Sequence, residues 1–199
     1  MLAYGASAMA AGAVLAPSAA SAQEQVIKLG HVLAPTHPFH LALEQAATEL
    51  AAATGGSVKL EVFPSSQLGT ERDLHVAIRT GGVEMLLGSP GGASVHLKEL
   101  AILTAPYLFR DDAHWQAVAF GEIGADWKKR TAEQAGVQIV GWFPLGTRHV
   151  VSRTAPYENL AAIEGQKIRV ADLAPYPQVF QGFGAIPTPI AFAEMYTAL

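Results

Sequence analysis

Residues 164–196 read EGQKIRVADLAPYPQVFQGFGAIPTPIAFAEMY, and this stretch decides the fold. Gln166–Val170 reads as a short strand carrying one cation, Arg169, toward a polar, turn-rich edge. Asp172-Leu173-Ala174-Pro175 is predicted to cap and open a helix running to about Phe183, because an aspartate accepts from the first free amides and proline is tolerated in a first turn. Gly184 ends that helix, and Pro187-Thr188-Pro189 forces an extended passage before a last helix near Ala191. The unit is strand–helix–strand–helix, with an arginine at a strand end, where open α/β sheets bind ligands.

On the residues alone Arg169 has two readings. It is a surface cation, or it is a fork that grips a carboxylate through two parallel hydrogen bonds, a geometry lysine cannot reproduce. Periodicity does not decide between them.

The N-terminal part repeats the α/β pattern. Val26–Leu33 alternates as a first strand, and Thr36-His37-Pro38 opens a helix that stops at Thr54-Gly55-Gly56. Val58, Leu60 and Val62 mark a second strand, a helix follows from about Gly69 to Thr80, and Val83–Leu87 reads as a buried third strand. Strand alternating with helix over this length predicts a parallel sheet. One long helix is expected from Asp111-Asp112 to about Ala135, then a strand over Val137–Phe143. Pro144-Leu145-Gly146 interrupts that strand before Arg148–Ser152 continues it, which reads as a hinge crossing between two lobes.

Five motifs in order carry a resemblance: Val62–Gly69 (VFPSSQLG), Ala105–Phe109 (APYLF), Gly146-Thr147-Arg148, Lys167–Val170 (KIRV) and Gly184–Leu199 (GAIPTPIAFAEMYTAL). Together they resemble the solute-binding proteins of TRAP (tripartite ATP-independent periplasmic) transporters, the DctP family, over Val26 to Leu199. The resemblance implies a two-lobed α/β fold of the type II periplasmic-binding-protein kind with hinge strands. It divides the chain into a signal peptide (1–22), a first α/β lobe (23–144) and a second lobe (145–199) holding the carboxylate-binding region. More than a third of such a protein follows the position of Leu199, so the second lobe is expected to be incomplete and the chain a C-terminally truncated fragment.

Composition bounds the address. Met1–Ala22 carries no charge and is rich in alanine, and Ala20-Ser21-Ala22 before Gln23 suits signal peptidase, so export to the periplasm is expected. No basic residue opens this leader, and a start within a longer leader is the expectation that follows. Glycines, serines and Pro17 break it too often for the roughly 20 apolar residues of a membrane span, so no membrane insertion is expected once it is removed. The 199 residues contain no cysteine, which excludes disulfides, a thiol nucleophile and a thiolate metal site. A net charge of −4 gives no footprint for nucleic acid and no field that draws anions, so an anion site must rest on local arginines.

Within the resemblance, Arg169 matches the carboxylate-clamping arginine and Arg148 a second arginine that helps hold the ligand. Glu71, Ser89 and Phe192 match ligand-lining positions, and His37 at a helix start is a further cleft candidate. Read without the resemblance, Glu71 is a carboxylate favourably placed at a helix N-terminus, and Phe192 is a core phenylalanine. Gly88-Ser89-Pro90-Gly91-Gly92 matches neither the P-loop nor the dinucleotide fingerprint, so no cofactor is expected and the segment reads as a pocket-lining loop. His31, His37 and His40 lack metal-helix spacing and a completing ligand. No nucleophile elbow is present. The expected protein therefore binds a small organic acid, a dicarboxylate or sugar acid among them, and hands it to the membrane subunits of a TRAP transporter without chemistry. A secreted two-lobed α/β enzyme acting on a carboxylate is the alternative, and conversion of the acid is what separates the two.

Overall fold

The structure is a computed structural model that describes residues 24–153 and 155–198. The expected signal peptide, residues 1–22, lies outside the described residues. The chain opens with β1 (Gln25–Gly30), α1 (Pro38–Ala53), β2 (Val58–Phe63), α2 (Glu71–Thr80) and β3 (Met85–Leu86). β1 lies between β2 and β3 and runs parallel to both. Parallel neighbours need a long crossover, which α1 and α2 supply.

Local chemistry sets the ends of these helices. The imidazole of His37 caps α1, its Nδ1 accepting from the Phe39 amide at 3.1 Å, and Pro38 fills the first turn. Thr70 and Asp73 form a reciprocal capping box on α2, and Gly81 closes that helix at φ 75°, a left-handed value that costs glycine nothing. β3 is shorter than the Val83–Leu87 strand expected. Where its ladder stops, the Lys28 amide donates to the Glu84 carboxylate at 2.8 Å, so a side chain takes a backbone donor.

Next come α3 (Pro90–Ala93), a 3₁₀ stretch over Lys98–Thr104, α4 (Asp112–Phe120) and α5 (Glu122–Ala135). The single helix expected over 111–135 is thus two. Gly121 ends one and starts the other, and the turn is tight enough that a Cβ on Gly121 would overlap the Ala117 carbonyl. The strands expected over 137–143 and 148–152 form no ladder among the described residues. A segment becomes a strand only when a neighbouring backbone pairs with it, and the expected hinge strands are without regular secondary structure here.

The second sheet comprises β4 (Lys167–Val170) and β5 (Ile186–Pro189), parallel from Lys167↔Ile186 to Val170↔Pro189 and connected by α6 (Tyr176–Gly182). Pro187 and Pro189 are tolerated because β5 has one neighbour and offers an edge. A 3₁₀ turn (Phe192–Glu194) then leads into α7 (Met195–Ala198). Asp172 does not cap α6, whose first turn has no side-chain cap. It lies too far upstream and is engaged instead by Arg72 of α2, which donates to the Asp172 carboxylate (3.2 Å) and carbonyl (2.7 Å).

Burial follows the two sheets. Leu29 and Leu74 seal β1 against α2, and Leu97, Leu100, Leu103 and Trp127 gather under the α4–α5 pair. Ile163, Ile168 and Ala185 form one cluster and Val170, Leu173 and Tyr176 another; Ile168 and Val170, two residues apart on β4, share its buried face, and Phe180 of α6 touches both groups. Among the described residues no helix is long and apolar enough to cross a membrane.

A tight joint in the first sheet is Gly30, whose added Cβ would stand 2.6 Å from Leu74 Cδ2, a side chain with no exposed surface to retreat into. Gly30→Ala is therefore expected to destabilise the protein by about 1–3 kcal/mol, read as a lower urea midpoint at unchanged m-value. An unchanged midpoint contradicts this packing.

Candidate functional site

β4 delivers Arg169 to the end of the second sheet, half-buried. Its Nε and Nη2 both donate to the Ile190 carbonyl, at 3.0 and 2.6 Å, just where the chain leaves β5. The Ile190 amide in turn donates to the Val170 carbonyl at 3.1 Å, so the anchor is tied to the sheet itself. Among the described residues no carboxylate pairs with Arg169 or with Arg148. Burial and the nearby Arg148 charge both pull Arg169 below its ordinary value, yet a guanidinium stays charged. Two like charges thus lie near each other with no carboxylate paired to either among the described residues.

Arg148 sits on the segment after α5, its Cζ 5.2 Å from the centre of the Tyr176 ring, within cation–π range. Tyr176 is a residue the sequence reading passed over. Its ring is buried and its hydroxyl has no hydrogen-bond partner. Burial raises the phenol, with Arg148 lowering and Glu71 raising it, so its oxygen lies within electrostatic reach of both. The signal for it was only its place, directly after Pro175 in the deciding stretch.

The first sheet contributes Glu71 and Ser89. Glu71 stands at the start of α2, and its Oε1 accepts the Ser89 amide at 2.5 Å and the Ser89 hydroxyl at 2.6 Å. Burial pushes this carboxyl up, but the nearby His75 ring and the two Ser89 donors outweigh burial and hold it below the ordinary carboxylate range. Ser89 also caps α3 through the Gly92 amide, so the segment expected as an open loop is a capped helical turn.

The two halves meet at Gly91. A Cβ placed there would lie 2.8 Å from the Ala174 carbonyl, 3.5 Å from Tyr176 Cε2 and 3.6 Å from Ser89 Oγ. The structure therefore brings Glu71 and Ser89 together on one side and Arg169 and Arg148 together on the other, with Tyr176 between. His37 and Phe192 do not join them by any recorded contact: His37 is occupied as a helix cap against Phe39, and Phe192 lies on the 3₁₀ turn, 44% exposed. Two surface hollows of about 330 and 230 Å³ lie elsewhere, one beside Glu99 and Arg130 and one over Ile102, Phe109 and Trp127. His31 and His40 bond each other at 3.1 Å, and no group of three metal-ligating side chains occurs among the described residues.

The sequence model of the family described as "Bacterial extracellular solute-binding protein, family 7" matches residues 29–199. Solute-binding protein RD1_1052 of Roseobacter denitrificans is 37% identical over 189 residues, 94% of this chain and 57% of the relative. The crystal structure of RD1_1052 with bound L-galactonate superposes with a TM-score of 0.82 at 34% identity, covering 88% of this chain and 58% of that one. The 2,3-diketo-L-gulonate-binding periplasmic protein YiaO of Escherichia coli is 31% identical over 92% of this chain and 55% of its own. A TRAP solute-binding protein from Sulfurospirillum deleyianum with bound succinate is 27% identical with a TM-score of 0.82, over 88% of this chain and 56% of that one. The chain thus spans a little over half the length of these relatives, all of them binding proteins rather than enzymes.

Buried histidines behind this site give a pH signature. Burial, reinforced by neighbouring charge, lowers His31 from its ordinary 6.5 and takes His96 down to about 4. A folded-state value below the unfolded one means the unfolded chain binds the proton first, so stability is full above 6.5 and is lost as pH falls from there toward 4. The urea midpoint is expected to drop between pH 7.5 and 5, and His96→Gln to flatten that slope. Equal midpoints at both pH values contradict the assignment.

Proposed function

Because this chain belongs to the family 7 bacterial extracellular solute-binding proteins, we propose that it serves as an extracytoplasmic receptor that captures a small organic acid and passes it to the membrane subunits of a TRAP transporter. Export to the periplasm by a leader over residues 1–22 is part of this reading. So is a division into a first lobe (23–144) and a second lobe (145–199) that close on the acid.

The observation that carries the proposal is the unneutralised pair Arg169 and Arg148 beside the junction of the two sheets. A cation held by a neutral carbonyl keeps its attraction for an anion, whereas one paired with an aspartate has spent it. Arg169 receives the ligand carboxylate, and Arg148, stacked on Tyr176, closes from the other side. The carboxylate of Glu71 accepts from ligand hydroxyls and Ser89 lies at its edge, while Phe192 and His37 line the outer cleft. No bond in the ligand is made or broken. L-galactonate and 2,3-diketo-L-gulonate, the acids named for the relatives above 30% identity, both carry one carboxylate and several hydroxyls, and a sugar acid of that kind is the proposed cargo.

The test is a calorimetric titration of the full-length protein with L-galactonate. Arg169→Ala is expected to lower affinity by more than about a hundredfold, the loss that accompanies about 3–5 kcal/mol for a broken buried charge pair. Arg169→Lys keeps the charge but not the fork, so it is expected to bind measurably yet poorly. Unchanged affinity in both variants, or recovery of the acid chemically altered, would overturn the receptor reading.

A further inference from the structure

Behind Glu71 lies a pair of histidines that the receptor reading does not use. His75 sits one turn along α2 from Glu71 and is 4% exposed, and His96 is 9% exposed. Their rings are tilted at 58°, with His75 Nδ1 3.1 Å from His96 Nε2. The other face of His75 looks at the site: its Nε2 is 3.8 Å from Glu71 Oε1, an electrostatic contact rather than a hydrogen bond, and has no other partner. Gly88 and Gly92 form the wall opposite. A Cβ on Gly92 would overlap both His75 Nε2 and Glu71 Oε1, and one on Gly88 would stand 2.9 Å from His75 Nε2. The wall is bare backbone because two side chains are pressed against it.

These contacts fix the tautomers. A bare Nε2 lone pair facing the Glu71 carboxylate would be repelled, so the His75 proton is on Nε2 and its Nδ1 accepts from His96 Nε2–H. Both N–H groups then point along one line toward Glu71, and the unpaired His96 Nδ1 lies at the far end. The remaining groups facing Glu71 are the Ser89 amide and hydroxyl, and the charge nearest His96 beyond His75 is Arg79. Among the described residues, the groups that hydrogen-bond the carboxylate are both donors, the Ser89 amide and hydroxyl.

Resting on the receptor reading above, we infer that His75, braced by His96, is a specificity-determining positioning residue: it holds Glu71 as an ionised, acceptor-only group, so the cleft favours a monocarboxylate rich in hydroxyls over a dicarboxylate. A ligand hydroxyl can donate to Glu71, while a second ligand carboxylate meets like charge there. Arg169 and Arg148 attract either acid, so discrimination falls to the opposite side of the cleft.

The experiment measures L-galactonate and succinate affinities by calorimetry on the full-length protein, its His75→Phe and His75→Gln variants, and Gly92→Ala. The wild type is expected to prefer L-galactonate. His75→Phe keeps a ring of similar size without the donor and is expected to lower L-galactonate affinity about 10- to 100-fold while succinate affinity holds or rises. His75→Gln can still donate an N–H to Glu71 and is expected to restore most of the preference. Gly92→Ala pushes Glu71 and His75 away without altering either, and is expected to collapse the preference in the same direction should His75→Phe fail to fold. Equal losses for both acids, or no rescue by His75→Gln, would make His75 merely structural and overturn the inference. A wild type that prefers succinate would overturn it while leaving the receptor reading standing, and a wild type that binds neither acid would overturn both.

Discussion

One backbone carbonyl, that of Ile190, holds the arginine on which the site depends. Two N–H groups of Arg169 converge on it, and the same residue's amide returns a bond to Val170 across the β4–β5 ladder. The guanidinium is thereby oriented by the sheet without being neutralised by it. Had the anchor been a carboxylate, the ion pair would have been satisfied within the protein and little attraction would remain for a ligand. Side-chain ordering is completed before any ligand arrives, which removes part of the entropic cost of binding. The neighbouring Arg148 sharpens the demand, because two uncompensated cations close together are stabilised by an anion and destabilised by its absence.

The opposing side of the site has the complementary character. Glu71 accepts two bonds from Ser89, faces the His75 ring at 3.8 Å and is packed against Gly88 and Gly92. Cation and acceptor sides come from different halves of the chain, so the ligand proposed above, with an anionic head and a hydroxylated body, is matched where those halves meet. That junction is described by local contacts: Arg72 with Asp172, and Gly91 against Ala174 and Tyr176. Arg72 and Asp172 are both exposed and their ion pair is worth little by itself, roughly 0–1 kcal/mol. The closer fit is steric, at Gly91.

What could be read in the sequence was whatever is encoded nearby along the chain. The strand Lys167–Val170, the stop at Gly184 and the extended Pro187-Thr188-Pro189 all follow from residues within a few positions of each other. Arg169, Glu71 and Ser89 could be proposed from the sequence because motifs flank them. Asp172 was misread as a cap because its partner, Arg72, is 100 residues away and no local signal names it. The break at Gly121 was missed because a helical pattern continues across it, and only the close approach of the Ala117 carbonyl shows why the chain must bend there. Tyr176 and the His75–His96 pair escaped for the same reason as Asp172: each acquires its role from a group brought near by the tertiary fold. His37, expected as a cleft residue, also caps α1, a role that a histidine before a proline could have suggested.

The central claim is that an unneutralised Arg169, anchored by a neutral carbonyl, receives the acid head of the ligand. A crystal structure of the full-length protein grown with a sugar acid tests it most directly. The account predicts the ligand carboxylate within hydrogen-bond distance of the Arg169 guanidinium, with Arg148 on its flank and a ligand hydroxyl donating to Glu71. A ligand carboxylate bound elsewhere, with Arg169 still donating only to Ile190, would contradict it.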